Sequence, residues 1–419
     1  MINSIKFHIK IMVYMGILLA FLMGCSSPAG SEPSISVNSI KLPPQAILNA
    51  GKTRALAPVL ETTGNGTAEL VWSSSNSAVA TITQDGKVTA VGTGGDTAEI
   101  TVTVSGTSLS ARCVIAIAHD ASMFTPGISG DAVTIIGCTV IDPVVVVPEQ
   151  IDGKVVIAIG ANAFENKNTL TEVYLPDAIR EIGDYAFFTC TNLTSISLPA
   201  ATTIGDSAFS TCTNLTSISF PAAATIGDGA FSTCTNLTSI SLPSATTIGE
   251  NAFAVCTNLT SISLPSATTI GESVFFHCTN LTSISLPVAT TIGEAAFYVC
   301  NSLTSISLPS ATTIGDSAFY SCSGLTSISL PSATTIGERT FKECTILARI
   351  SLPVVTAIGN DTFYGCTELN SIALSANCTF NSSGNSAAWD AFYNYYKNTG
   401  GQRAGTYTLN NGSWTGPVL

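Results

Sequence analysis

The stretch CTNLTSISLPSATTIGENAFAV, Cys234 to Val255, decides the fold, because Cys256 begins nearly the same string again. Cys190, Cys212, Cys234, Cys256, Cys278, Cys300, Cys322, Cys344 and Cys366 stand 22 residues apart. In the Cys234 cycle, Leu237, Ile240 and Leu242 have the spacing that puts Ile240 and Leu242 on one side of a short strand. Pro243 cannot donate to a ladder, so it ends that strand. Ile248, Ala252 and Phe253 then suit the inward face of a short helical turn, with Gly249 permitting a sharp start and Glu250 facing the helix N-terminus.

One such coil is too small to bury its own apolar face, but stacked copies can bury each other's. Strands at about 4.8 Å spacing would form a parallel sheet, and nine coils would extend roughly 45 Å. The expected fold is mainly β: a leucine-rich-repeat solenoid with one parallel strand and one helical turn per coil.

The pattern CxxLTSISLPxxxxxIGxxAFxx resembles the BspA-like leucine-rich repeat, a class of bacterial surface proteins and of some parasitic protists. VVVVPEQIDGKVVIAIGANAFENKNTLTEVYLP, from Val144 to Pro176, resembles the beginning of such an array, with Lys167 in place of a cysteine and a cycle one residue longer. At the other end the pattern decays, and Trp389, Phe392, Tyr393 and Tyr396 fall on one face of a capping helix. AGTYTLNNGSWTG then reads as a hairpin turning at Asn410, Asn411 and Gly412.

Before the array the text differs. Lys6 and Lys10 precede an apolar run from Ile11 to Met23, the form of an export signal rather than of a membrane span. Leu22 to Cys25, LMGC, resembles the lipobox of bacterial lipoproteins, which implies acylation of Cys25 and a membrane anchor through the acyl chains. From Ile35 to Ala118, short alternating runs separated by turns indicate a small antiparallel sandwich, and GTGGDT reads as a hairpin within it. Its WSSSN…VATI…DGKVTAVG string resembles the bacterial Ig-like group 2 domain, which implies presentation rather than catalysis. The expected organisation is signal peptide 1–24, tether 25–34, Ig-like domain 35–118, N-terminal edge of the array 119–166, repeats 167–380 and C-terminal cap 381–419.

Fifteen Lys and Arg against 27 Asp and Glu argue against a nucleic-acid partner. Only His8, His119 and His277 exist, without a catalytic or metalloprotease motif, so no enzyme activity, cofactor or metal is expected. The cysteine ladder reads as buried free thiols, since parallel Cβ vectors and an odd number disfavour pairing. Cys113, Cys138 and Cys378 leave one possible bridge open. A second ladder is acidic: Asp184, Asp206, Asp228, Glu250, Glu272, Glu294, Asp316 and Glu338. Helix-start electrostatics is the favoured account of it, over cation binding. Five NLT triplets starting at Asn192, Asn214, Asn236, Asn258 and Asn280 match a glycosylation sequon.

Two surfaces are candidates for contact. One is the exposed strand face, Ser217 and Ser219, Ser239 and Ser241, Ser261 and Ser263. The other is a varied edge just before each cysteine, with Phe188, Phe276, His277, Tyr298, Tyr320 and Tyr364, because aromatic residues are enriched at interfaces. The resemblance implies a lipid-anchored surface protein whose array adheres to host or neighbouring-cell macromolecules, with matrix proteins such as fibronectin or fibrinogen as candidate partners. The near identity of the cycles favours a rival, an envelope spacer or self-associating coat. A third expectation is a glycan-binding module using Trp389, Tyr393 and the hydroxyl face of the strands.

Overall fold

The computed structural model describes residues 35–380, 387–399, 401–410 and 413–418. The expected signal peptide, Cys25 and the tether lie outside the described residues. The chain from 35 to 118 forms a small β domain around Trp72, Ile100, Val102 and Ile115. Its last strand, Ser110–Ile117, pairs antiparallel with Thr97–Val104 but parallel with Gln45–Leu48. GTGGDT is not a hairpin: it carries the chain from Lys87–Ala90, in a three-stranded sheet, to Thr97–Val104 in a four-stranded one.

The array is a solenoid whose coils line up two columns of parallel strands. The expected Ser-Ile-Ser strands are present and stack in register, Ser217↔Ser239 and Ser219↔Ser241, with Ile218 and Ile240 buried between exposed serines. Each coil also carries a second, two-residue strand, such as Thr247–Ile248, which runs in a 14-stranded sheet from the hairpin Phe124–Ser129/Ala132–Cys138 to Thr379–Phe380.

The segment expected to be a helical turn is a run of tight turns. Ala208 N–H bonds Gly205 C=O, Ser210 N–H bonds Ser207 C=O and Cys212 N–H bonds Phe209 C=O. Ser207 (φ 51°) and Thr211 (φ 63°) lie in the left-handed region, a conformation costing of order 1 kcal/mol or more for each non-glycine residue. The compensation is between coils: Ser207, Phe209 and Thr211 donate to Asp228, Ala230 and Ser232 of the next coil, each at 2.8 Å. A helix would satisfy those N–H groups internally and leave the coils without this third seam. Ile248, Ala252 and Phe253 do face inward, as expected.

Gly249 serves stacking rather than a sharp start. A Cβ there would lie 2.4 Å from Asp228 Oδ1 and 2.6 Å from the Gly227 carbonyl carbon, so only glycine lets the coils approach. Inside, Phe164, Phe187, Phe209, Phe231, Phe253, Phe275, Phe297, Phe319, Phe341 and Phe363 form one stack with centroids 4.9 to 5.8 Å apart.

At the C-terminal end the helix Ala387–Asn394 passes into a wider turn, Tyr395–Thr399. Phe392 and Tyr396 are buried against Tyr407, while Tyr393 meets Phe380 edge-on at 5.5 Å. The Trp389 side chain lies outside the described residues. The expected hairpin forms, Gly405–Asn410 with Ser413–Val418, and covers the strand Ser371–Leu374.

The β domain docks on the first coil. Ile47, Ala116, Ala118 and Val146 share an apolar cluster. His119 is the fastener, 4% exposed: its N–H bonds Val146 C=O at 3.0 Å and its Nδ1 accepts from Val146 N–H at 3.1 Å. Nε2 therefore carries the proton and donates to Asp142 Oδ2 at 3.2 Å. Gly94 and Gly95 of the GTGGDT segment pack on this histidine, where a Gly94 Cβ would lie 2.7 Å from its Cα.

Candidate functional site

The nine ladder thiols are buried and unpaired. Each donates to the carbonyl of a phenylalanine one coil back, as from Cys234 Sγ to Phe209 O at 3.1 Å and from Cys256 Sγ to Phe231 O at 3.1 Å. Burial pushes the thiols up, to about 12 at Cys256 and Cys322. They are core groups, not nucleophiles. Cys113, Cys138 and Cys378 are free thiols in three separate regions.

The acidic ladder does not face helix starts. Asp184, Asp206, Asp228 and Asp316 each accept from the backbone N–H of the acidic residue one coil on, at 2.9, 2.8, 2.8 and 2.7 Å. The short aspartate reaches a neighbour's N–H and so splices coils. Among the described residues no group of three His, Cys, Asp or Glu is placed to hold a metal ion. The sequon asparagines form a ladder of their own, Nδ2 of Asn214, Asn236, Asn258 and Asn280 each donating to Oδ1 of the preceding asparagine at 3.2 to 3.4 Å.

Of the two contact candidates, the serine face is flat. Ser217, Ser219, Ser239, Ser241, Ser261 and Ser263 are exposed, and the threonine before each strand bonds the preceding coil, as from Thr238 Oγ1 to Thr216 O at 3.2 Å. The varied edge is a ridge. Phe276, Tyr298 and Tyr320 stack face to face at 5.1 and 4.7 Å, and Lys342 Nζ lies 5.9 Å from the Tyr320 centroid and 4.7 Å from that of Tyr364. His277 leans on Phe276 at 4.4 Å. Phe188 stands apart, edge-on to Tyr185, because Ser210, Ser232 and Ala254 occupy the intervening rungs. Stacking along the solenoid axis covers the ring faces and leaves edges and hydroxyls outward. That geometry suits protein contact better than sugar stacking.

Both serine columns start at groups that sequence reasoning passed over. Glu172 pairs with Ser195 in the ladder, and Glu172 and Tyr174 flank buried Val173 as the serines flank isoleucine. Tyr174 Oη donates to Glu172 Oε2 at 3.0 Å, and burial, with the adjacent carboxylate, pushes this phenol well above its ordinary value. With Gln45 of the β domain they frame a cleft of about 310 Å³ whose floor is the first serine rungs. The signal for it was the alignment of LTEVYLP with LTSISLP.

The comparisons agree with this architecture. The BspA type leucine rich repeat region matches in six copies, over residues 157–282, 202–324 and 290–395, and the bacterial Ig-like domain (group 2) matches residues 36–115. No curated protein matches. Among solved structures, a leucine rich repeat protein of T. pallidum is 30% identical over 44% of this chain and 90% of its own, with a TM-score of 0.40. A leucine rich cell surface protein of Faecalibacterium prausnitzii is 24% identical over 64% and 98%, with a TM-score of 0.29. The pneumococcal vaccine antigen PcpA is 18% identical over 61% and 68%, with a TM-score of 0.36. With its coils, its buried ladders and the family's repeat over more than half its length, the chain belongs to the BspA-type leucine-rich-repeat family and carries a group 2 bacterial Ig-like domain in front of the array.

Proposed function

We propose that this is a lipid-anchored bacterial surface protein whose Ig-like domain holds the array outward for adhesion to proteins of a host or neighbouring cell. The observation that carries the reading is the ridge, where five consecutive coils bring the half-buried Phe276, Tyr298, Tyr320 and Lys342 and the exposed Tyr364 into one column of stacked rings with a lysine among them. Aromatic residues supply contact area at low entropic cost, and a column of them repeats weak contacts along one partner. Acylation at Cys25 would supply the anchor; among the described residues no helix is long and apolar enough to cross a membrane.

The test is binding of the soluble chain from Ser26 to immobilised matrix proteins and mucin, beside a triple variant Phe276→Ala, Tyr298→Ala, Tyr320→Ala. Saturable binding lost in the folded triple variant is the expected result. Binding that the triple variant keeps removes the ridge from the account. The structural rival rests on the near-identical coils from Cys190 to Ser329, and self-association of the full chain in solution without any bound ligand would favour it.

A further inference from the structure

The cleft where the Ig-like domain meets the serine face holds one charge and no counter-charge. Val144 and Val146, the rungs before it, sit at the domain junction, so the exposed face begins at Glu172 and Tyr174. Every later rung to Ser305–Ser307 offers only serine hydroxyls, and none of the groups lining the cleft is cationic. Gln45 is fixed as a wall by its own bond, Nε2 to Leu175 O at 2.9 Å. Clefts at domain junctions with a few convergent polar groups are the usual form of a binding site.

We propose that this cleft binds the ammonium group of a lysine carried on an extended polypeptide that lies across the first serine rungs. The chemistry selects ammonium over guanidinium. Tyr174 already donates to Glu172 Oε2, so a planar fork that engages both oxygens has to share Oε2 with the phenol, whereas Oε1 is open to a single donor. A compact ammonium needs one oxygen from Glu172 and finds further acceptors in Tyr174 Oη and the serine hydroxyls, matching its three donors. The flat floor admits an extended backbone, since no side chain larger than serine rises from the rungs after Tyr174 until the sheet is interrupted beyond Ser307. This site is separate from the ridge and stands or falls independently of the adhesion reading.

The probe is a terminally blocked peptide, Gly-Ser-Gly-Ser-Lys-Ser-Gly-Ser-Gly, followed by saturation-transfer NMR on the chain from Ser26 and on variants checked by circular dichroism. Expected is saturable binding, weakened about ten-fold or more by Glu172→Gln and unchanged by Glu250→Gln, a carboxylate of the ladder outside the cleft. The acetyl-lysine peptide is expected not to bind, and the arginine peptide to bind several-fold more weakly. Tyr174→Phe frees Oε2, so it should narrow the gap between lysine and arginine, a change that mere damage to the cleft does not produce. Equal losses in the Glu172 and Glu250 variants would reduce the effect to general attraction by an acidic protein and overturn the proposal. So would binding of a glucosamine tetramer, sensitive to Glu172→Gln, with none of the peptide.

Discussion

The array changes character between Cys278 and Cys300. Before it, the asparagine ladder is unbroken to Asn280 and the ridge column is mostly small, Ser210, Ser232 and Ala254. Beyond it, Ser302, Gly324, Ile346 and Glu368 fill the asparagine column, while Tyr298, Tyr320, Lys342 and Tyr364 fill the ridge. The serine sheet is also interrupted, one coil further on: it runs from Val144–Val146 to Ser305–Ser307, and a separate sheet begins with Ser327–Ser329. Ile306 is half-exposed beside that gap, whereas Ile284 and Ile328 are buried. The identical coils solve the stacking problem with shared side-chain ladders, and the varied coils give up part of that solution where they gain distinctive surface chemistry. Thiols, phenylalanines and glycines run through both.

The largest expected effect tests that shared core. Burial holds Cys256, Cys322 and Cys366 at about 12, whereas a thiol in an unfolded chain ionises near ~8.5. Below the unfolded value both states keep the proton and the stabilisation is fully present. Above it the unfolded chain releases protons that the native coils retain, so stability falls by up to about 1.4 kcal/mol per pH unit per thiol until the native thiols also ionise. With a ladder of nine, the array should unfold cooperatively in that alkaline window, followed by circular dichroism. Separate transitions for the two halves would show that the ladder does not couple them.

Glycine comes next. Gly249→Ala sets a Cβ against backbone and Asp228, whereas at Gly271 the nearest atoms are Ile248 O at 3.1 Å and Glu250 N at 3.3 Å. Urea unfolding should show a loss of about 3 kcal/mol for the first and about 1 kcal/mol for the second. Equal losses would mean that the coils adjust their spacing freely.

A smaller effect separates the halves directly. Asn258→Ala removes one amide bond to Asn236 at 3.3 Å and one from Asn280 at 3.4 Å, both exposed, for a cost of about 1 kcal/mol in all. Ser302→Ala removes no ladder amide. Hydrogen exchange along Ser261–Ser263 should accelerate in the first variant, making that strand behave like those beside the gap. No change would show that the asparagine ladder is ornamental to the sheet.

Period and hydrophobic spacing made the coil, its first strand, its core columns and the positions of the serine face and the ridge legible in the sequence. The conformation after Ile248 was not, because Ile248, Ala252 and Phe253 face inward equally well from a helical turn or from tight turns, and nothing in the β-branched Val255 announces its positive φ. The choice is made by the neighbouring coil's carbonyls, a tertiary effect. Asp228 and Gly249 were visible as columns, yet their work lies between coils and so outside any one cycle. The cleft was hidden by a register step, since Glu172 and Ser195 are one residue further apart than later rungs. His119 carried no pattern at all, being defined by Val146, Asp142 and two glycines distant in the chain.

The smallest expected effect on stability bears most on why the halves differ. Tyr320→Ala removes a half-exposed ring stacked 4.7 Å from Tyr298 and a cation-π contact to Lys342, for a loss of about 1 kcal/mol or less. Ala254→Tyr makes the opposite change, placing a ring on the rung before Phe276. Ala254 is buried, but its half-buried counterparts Phe276 and Tyr298 show that this position of the coil can turn an aromatic ring outward, so the variant should fold with a loss of about 1 kcal/mol. If the ridge is the adhesive surface, lengthening it by one rung should strengthen binding to whatever partner the Tyr320 variant loses. An Ala254→Tyr chain that unfolds readily would give a different lesson: the small residues before Phe276 are demanded by packing, and the contrast between the halves is a property of the stack rather than of a partner.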